Sequence, residues 1–167
     1  LTYQKEYDKG AKGWLLFVEN GTLKFRYSPS NQFNKPTYEP ASDEQKTIEG
    51  GNLNMGEWAH VAITEKRDGS IRLYVNGMLT GEGERYRREH TLNNSTYLSL
   101  FADAFEYAPI EAAVDELKIW NYELNEEEIR REMYSVNVDN RNGLVAYYAF
   151  NGDNLSGDLE TFAGYQP

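Results

Sequence analysis

Apolar and polar residues alternate along several short stretches of the sequence, and Asn-Gly pairs stand between some of them. In SIRLYVNG, Ile71, Leu73 and Val75 occupy one face of an extended chain, and Arg72 and Tyr74 occupy the other. A period of two is the signature of a β-strand, and Asn-Gly accepts the positive φ angles of a tight hairpin. The pattern therefore predicts antiparallel strands and argues against a helical bundle.

The same pattern predicts two hairpins. The first joins its strands through Glu19–Thr22, and the second through Arg67–Gly69. The predicted strands are, in chain order, residues 14–18, 23–27, 59–66, 70–77, 97–103, 114–121 and 143–151. Residues 28–57 and 81–96, which are rich in turn-forming residues, are predicted as long irregular loops.

One short helix is predicted near residues 125–134. Asn125 is a good N-cap, Glu128 completes a capping box, and Leu124 and Ile129 are spaced as a hydrophobic staple. Two ion pairs at a spacing of four residues support it: Glu126–Arg130 and Glu127–Arg131. Many short strands with one late helix predict an all-β fold, an antiparallel β-sandwich, and the 167 residues fit a single domain over 1–167.

Charge and composition narrow the choice of partner. The chain carries 27 acidic and 17 basic residues, a net charge of −10, which disfavours nucleic acid and anionic membrane surfaces. No apolar run approaches the ~18 residues of a membrane span, so no membrane insertion is expected. There is no cysteine, which excludes disulfides and thiolate chemistry. The chain starts at Leu1 without a leader, so we interpret it as part of a longer chain with neighbouring domains.

Three segments together resemble a known family. WAHVAITEKRDGSIRLYVNG (58–77) resembles the central hairpin of laminin G-like, concanavalin A-like domains. AAVDELKIWNYELNEEEIRREM (112–133) is similar to their Asp-Glu strand and acidic helix, and GLVAYYAFNGD (143–153) to a strand that flanks such domains in bacterial surface proteins. The resemblance covers residues 13–153 and implies an antiparallel jelly-roll sandwich of concanavalin A type.

The N-terminal end departs from the family pattern. These domains usually have a strand ahead of the position that Trp14 matches, and here only about a dozen residues precede it. Three explanations stay open: the domain lacks its N-terminal strand, GLVAYYAF (143–150) fills the vacant sheet position, or residues 143–167 belong to the next domain.

Asp115 is the first candidate metal ligand. In VDELKIW the alternation places it on the apolar face of Leu117 and Ile119, where a carboxylate must be neutralised, hydrogen-bonded or bound to a cation. The resemblance implies a structural Ca²⁺ near this strand, with Asp153 as the second acid and Asp103 behind it. The alternative is that Asp115 accepts backbone N–H groups at a sheet corner.

Aromatic side chains in the loops are the candidates for a sugar site, since their faces stack on pyranose C–H groups. The predicted ligand-binding residues are Tyr86, Arg87, Phe105 and Tyr107, and Phe33 and Tyr38 are further candidates. The run Arg85–Arg88 offers a site for an anionic sugar or partner, or is a solvated loop. Trp14, Trp58 and Trp120 lie on or beside predicted strands, and we interpret them as core or sheet-face packing.

Catalytic motifs are missing from the sequence. Glucanases of this fold carry Glu-x-Asp-x-x-Glu on one strand, whereas here Glu111 and Asp115 are four apart and Lys118 occupies the third place after Asp115. His60 is predicted to be a packed side chain.

The resemblance therefore implies a non-catalytic carbohydrate-binding module of a secreted, periplasmic or surface-exposed bacterial protein, with a glycan or cell-surface polysaccharide as partner. The alternatives are a protein-interaction or spacer module and, more remotely, a glycosidase with acids from different strands.

Overall fold

A computed structural model describes residues 2–3, 13–28, 46–66, 69–84, 98–100, 112–135, 142–151 and 160–161. The strands are β1 Thr2–Tyr3, β2 Gly13–Glu19, β3 Thr22–Ser28, β4 Lys46–Asn52, β5 Val61–Glu65, β6 Ser70–Val75, β7 Met78–Glu84, β8 Ser99–Leu100, β9 Leu117–Trp120, β10 Leu144–Tyr148 and β11 Glu160–Thr161, and helix α1 is Glu126–Met133. The predicted β architecture with one short helix is confirmed. The chain groups into two units, residues 1–110 and 111–167, and the single domain stays a prediction.

The first unit contains a five-stranded antiparallel sheet in the order β4-β3-β2-β1-β8. The first predicted hairpin is confirmed: β2 and β3 pair up to Glu19 and Thr22, and the turn residues Asn20 and Gly21 have φ angles of 53° and 78°. On its other side β2 pairs with β1, while β10 pairs with β9 and β11.

A three-stranded antiparallel sheet, β5-β6-β7, completes the first unit. The second predicted hairpin, β5–β6, is also confirmed. Asn76 and Gly77, with φ angles of 51° and 73°, turn the chain from β6 directly into β7. Strands β4 and β7 correct the predicted loops 28–57 and 81–96, because β4 lies within the first and β7 extends into the second.

The core of the first unit lies between its two sheets. Phe25 and Ile48 come from the five-stranded sheet, Ile71 and Leu73 from the three-stranded one, and the four side chains form one buried cluster. The half-buried residues packed against this cluster are Trp14, Leu16 and Ile63. Side chains from two sheets that share one interior make a β-sandwich.

Strands β4 and β7 touch at what we call the glycine contact, where Gly81 and Gly83 of β7 face Ile48 and Glu49 of β4. A Cβ atom added to Gly81 would lie 2.2 Å from the carbonyl oxygen of Glu49, and one added to Gly83 would lie 2.7 Å from the Ile48 side chain. Because Gly81 and Gly83 have no side chains, β7 can lie against the Glu49 backbone and the Ile48 side chain of β4.

The second unit contains a three-stranded sheet, β11-β10-β9, and helix α1. The predicted capping box is confirmed: the Glu128 N–H donates to Asn125 Oδ1 at 3.0 Å, and the Asn125 N–H donates to Glu128 Oε2 at 2.7 Å. Leu124 and Ile129 are both buried, as a hydrophobic staple requires. The Glu126–Arg130 ion pair is present, whereas Arg131 pairs with Glu132 at 3.7 Å instead of with Glu127.

Candidate functional site

Most of the site residues predicted from the sequence lie outside the part of the chain that the structure describes. These are Tyr86, Arg87, Phe105, Tyr107 and Asp153, together with the further candidates Phe33, Tyr38 and Asp103. Their roles in binding a sugar or Ca²⁺ stay predictions.

Asp115 is described, and its surroundings differ from the prediction. It precedes β9, its side chain is exposed, and its Oδ1 accepts the N–H of Glu116 at 3.0 Å. The prediction that Asp115 lies on an inward apolar face is therefore wrong, and Ile119 of that predicted face is itself 37% exposed. The bond from the Glu116 N–H agrees with the alternative, in which Asp115 accepts backbone N–H groups. Glu116 has a φ of 55°, so the strand alternation does not extend to Asp115. Across the described ranges no group of three His, Cys, Asp or Glu side chains could hold a metal ion. A Ca²⁺ site at Asp115 and Asp153 stays a prediction.

Trp58 also departs from its predicted place. Trp58 is 73% exposed and lies outside the strands, so its interpretation as core or sheet-face packing is wrong, while Trp14 does pack on the core. Two methionines are similarly displayed, Met55 at 90% and Met78 at 61% exposure. Large apolar side chains on a surface often mark a binding site, which makes this part of the first unit the candidate site.

The Trp58 loop, which we define as residues 53–60, begins against the five-stranded sheet. The N–H of Leu53 donates to the carbonyl of Gly21, in the β2–β3 turn, at 2.8 Å. The loop then makes a β-turn in which the Glu57 N–H donates to the Asn54 carbonyl at 3.4 Å. Gly56, at a φ of 79°, supplies the left-handed residue of this turn.

The other end of the Trp58 loop is held by the three-stranded sheet. The N–H of His60 donates to Asn76 Oδ1 at 2.9 Å, and the N–H of Asn76 donates to the His60 carbonyl at 2.8 Å. Asn76 belongs to the β6–β7 turn, and Met78 follows it at the same end of the sheet. The loop is thus tied to one turn of each sheet, and it presents Trp58 from a backbone that is ordered before any ligand arrives. Such preorganisation lowers the entropic cost of binding.

Polar groups accompany the indole. Asn54 Nδ2 donates to Glu57 Oε2 at 2.8 Å, which orients the amide four residues before Trp58 and the carboxylate one residue before it. An ionised carboxylate accepts several hydrogen bonds, so Glu57 keeps acceptor capacity for a ligand. The Trp58 loop therefore combines an apolar face with hydrogen-bonding groups, the composition of a site for a small polar ring or a peptide.

A charge cluster lies beside the β2–β3 turn. Lys24 Nζ lies 2.8 Å from Glu19 and 2.8 Å from Glu49, on the face of the sheet opposite the core. The hydrogen bond from Lys24 lowers the pKa of the Glu19 carboxyl, and the bonds to Glu19 and Glu49 raise the pKa of Lys24. The ammonium group of Lys24 is therefore already engaged by two carboxylates.

In the second unit, Lys118 is the main buried charge. Its side chain is 8% exposed, and Nζ donates to the Glu132 carbonyl at 3.2 Å, the Ser135 carbonyl at 2.6 Å and Glu132 Oε2 at 3.3 Å. A cation at the carboxyl end of a helix satisfies carbonyls that lack intrahelical partners. Lys118 thus caps helix α1, a structural task that the sequence pattern did not predict.

The second unit also displays aromatic side chains. Trp120 and Tyr122 make an edge-to-face contact with centroids 5.8 Å apart, and Tyr148 stacks with Phe150 at 6.2 Å. Burial, followed by the nearby Glu128 carboxylate, raises the pKa of Tyr122. The Tyr147 hydroxyl donates to Glu116 Oε2 at 2.5 Å. Tyr122 and Phe150 are 41% and 42% exposed, which is less than the 73% of Trp58, and each contacts another aromatic ring.

Comparison with known proteins identifies a family. A family model described as the concanavalin A-like lectin/glucanases superfamily, of laminin G type, matches residues 7–130, which is more than half of the chain. No curated protein matches. A solved structure of an S-layer domain-containing protein from Clostridium thermocellum is similar at 23% identity and a TM-score of 0.35, covering 77% of this chain and 62% of that chain. This chain thus spans less than two thirds of that structure. No helix among the described residues is long and apolar enough to cross a membrane.

Proposed function

The chain belongs to the concanavalin A-like lectin/glucanases superfamily, and from this premise we propose that it is a non-catalytic carbohydrate-binding module whose site is the Trp58 loop. The observation that carries the proposal is the 73% exposure of Trp58 on a loop tied to both sheets. Burying an aromatic side chain of this size stabilises a fold by about 1.5–3 kcal/mol. A fold that leaves its indole in water, on an ordered backbone, presents it for a partner.

The chemistry of the loop suits a sugar ring. The face of an aromatic ring carries partial negative charge, which attracts the weakly positive C–H groups on one side of a pyranose. Sugar hydroxyls both donate and accept hydrogen bonds, and the Glu57 carboxylate and Asn54 amide stand one and four residues before the indole. The pair is held together at 2.8 Å, so both groups are oriented before a ligand binds.

The proposal is tested on a glycan array with the wild-type chain and Trp58→Ala. We expect wild-type binding to at least one glycan and a loss of about tenfold or more in Trp58→Ala, as is usual for a central aromatic contact. Tyr134→Ala is the matched control, because Tyr134 is an exposed aromatic residue at the end of helix α1. Equal loss in both variants, or unchanged binding in Trp58→Ala, would reject this site.

A protein partner is the second candidate. Met55 and Met78 are strongly exposed, and methionine is enriched at protein interfaces, where it adapts to irregular surfaces. Two results together would support this candidate. The correctly folded chain would bind no glycan on the array, and a protein that it binds from its native surroundings would no longer bind the Met55→Glu variant. A spacer module would bind in neither experiment.

A glycan-binding role also carries proposals about location and chemistry. Cell-surface polysaccharides lie outside the cytoplasm, and a protein that binds them must lie there too. The proposal therefore includes a secreted, periplasmic or surface location. It also includes the absence of catalysis, although glucanases share the superfamily. Incubation of the chain with each bound glycan, followed by assay of new reducing ends, tests this. Release of reducing ends would favour the glycosidase alternative.

A further inference from the structure

We infer that the glycan recognised by the Trp58 loop is neutral, and that uronate, sialate or sulfate groups are excluded from this site. The inference rests on the proposed function and adds the charge class of the ligand. It comes from the three segments that hydrogen bonding joins at one end of the first unit: the β2–β3 turn with its flanking residues (19–23), the Trp58 loop, and the β6–β7 turn with its flanking residues (75–79).

These three segments contain two carboxylates, Glu19 and Glu57, and no lysine or arginine. Proteins recognise acidic ligand groups mainly through arginine forks, lysine ammonium groups or clusters of backbone N–H groups. Here the backbone N–H groups of Leu53, Glu57 and His60 are used to hold the loop itself. Within these three described segments, an acidic sugar on Trp58 would therefore meet no lysine or arginine and would lie beside Glu57.

The first cation beyond the β2–β3 turn is Lys24, and its ammonium group does not change this balance. It lies 2.8 Å from each of two carboxylates, Glu19 and Glu49, so this cluster has one positive and two negative charges. A ligand carboxylate that competed for Lys24 would have to displace one of them. The net charge of −10 over the whole chain adds a long-range repulsion of the same sign.

A neutral sugar gains from the same arrangement. Its hydroxyl groups donate to the Glu57 carboxylate, and a hydrogen bond to an ionised acceptor is shorter and stronger than one between neutral groups. The carboxylate is thus an advantage for a neutral ligand and a penalty for an acidic one. The sign of the effect of removing this charge therefore separates the two ligand classes.

The experiment uses a glycan array on which each backbone appears in neutral and acidic form, for example galacturonan oligomers with free or methyl-esterified carboxyls beside glucan oligomers. The wild-type chain is compared with Trp58→Ala, Glu57→Gln and the control Glu65→Gln, which removes one carboxylate at the far end of β5. We expect all Trp58-dependent signals on neutral members. We also expect Glu57→Gln to weaken them by about fivefold, the loss of one charge-assisted hydrogen bond, with no change in Glu65→Gln.

Two results would overturn the inference while leaving the proposed function intact. One is Trp58-dependent binding of an acidic glycan as tight as that of its neutral counterpart, and the other is tighter glycan binding by Glu57→Gln. Acidic glycans bound independently of Trp58 and lost on Arg87→Ser would instead place the sugar site in the Arg85–Arg88 segment, and would overturn the proposed Trp58 site together with the inference that rests on it. A folded chain that binds no glycan would overturn both the proposed function and the inference.

Discussion

Among the described residues of 1–110 the buried side chains are apolar except for Thr64, and Ile71 and Leu73 are fully buried between two sheets. In residues 111–167, by contrast, an ammonium group, that of Lys118, is buried at the end of a helix. The first unit brings β4 and β7 together through the glycine contact, where the absence of side chains on Gly81 and Gly83 makes room for the Glu49 backbone and the Ile48 side chain. The second joins β9 to helix α1 through three hydrogen bonds from one nitrogen.

The difference follows from what each unit has to bury. Two facing sheets supply apolar side chains from both sides, and the free energy gained grows with the area removed from water. The smaller unit has a short helix whose last carbonyls need donors, and Lys118 supplies them. Apolar packing loses stability gradually as groups are removed, whereas a buried ion pair fails when one partner is taken away, because the other is left charged and desolvated.

The largest expected effect is that of Lys118→Met. The change removes the Lys118 hydrogen bonds to the Glu132 carboxylate and to the carbonyls of Glu132 and Ser135, and loss of one partner of a buried pair costs about 3–5 kcal/mol of unfolding free energy. Chemical denaturation of the full chain measures it. Lys66→Met is the control, since Lys66 is an exposed lysine beside β5 and its change should stay within about 0.5 kcal/mol. Equal stability of the two variants would show that the second unit does not depend on its buried charge.

Gly81→Ala should have an intermediate effect. The added Cβ would meet the Glu49 carbonyl oxygen at 2.2 Å, so β4 and β7 must move apart, and overpacking of this kind costs about 1–3 kcal/mol. The matched control is Gly50→Ala on the facing strand, where the new Cβ would find no atom closer than 3.4 Å. Thermal unfolding measures the Tm of both variants. An equal change in Tm would show that the fold does not depend on the glycine contact.

Lys24→Met should have the smallest effect, and its pH dependence identifies the cause. The pKa of Glu19 is lowered in the folded chain. Its ionised carboxylate therefore stabilises the fold above its ordinary pKa of about 4, and this stabilisation is lost as the pH falls. The pKa of Lys24 is raised in the folded chain. Its ammonium group therefore stabilises the fold below its ordinary pKa of about 10, and this stabilisation is lost at higher pH.

The small difference in stability between wild type and Lys24→Met should therefore be constant near neutral pH and shrink towards pH 3, as measured by denaturation at each pH. A difference that stays the same at low pH would attribute the effect to the lost packing of the lysine stem.

Elements defined by neighbouring residues were predicted well. The β2–β3 and β5–β6 hairpins and the capping box of helix α1 depend on contacts within a few residues, and all three are present. Strands β4 and β7 were missed because glycines stand at positions where an apolar residue would have signalled a strand. The glycines of β7 are required by its contact with β4, which is distant in sequence, and the periodicity of one strand contains no information about its contact with another.

The site shows the same division. Trp58 was predicted to pack inside, since large aromatic residues usually do, but hydrogen bonds from the Trp58 loop to Gly21 and Asn76 hold its indole outside. The alternation in β9 predicts that Lys118 lies on a polar face, but Lys118 is buried because the end of helix α1 lies over it. Asp115 is exposed, because the left-handed Glu116 directly before β9 ends the alternation that had placed Asp115 on a buried face.

By itself the sequence determined the strand period, the left-handed Asn-Gly turns, the helix start and the family, because each depends on short-range sterics or on a local motif. Alternation also grouped Ile71, Leu73 and Val75 on one face, and all three are buried, whereas the exposure of Trp58 and the burial of Lys118 depend on tertiary contacts. Burial depends on which distant strand, turn or helix end comes to lie against a residue, and the position of that partner is a property of the whole chain.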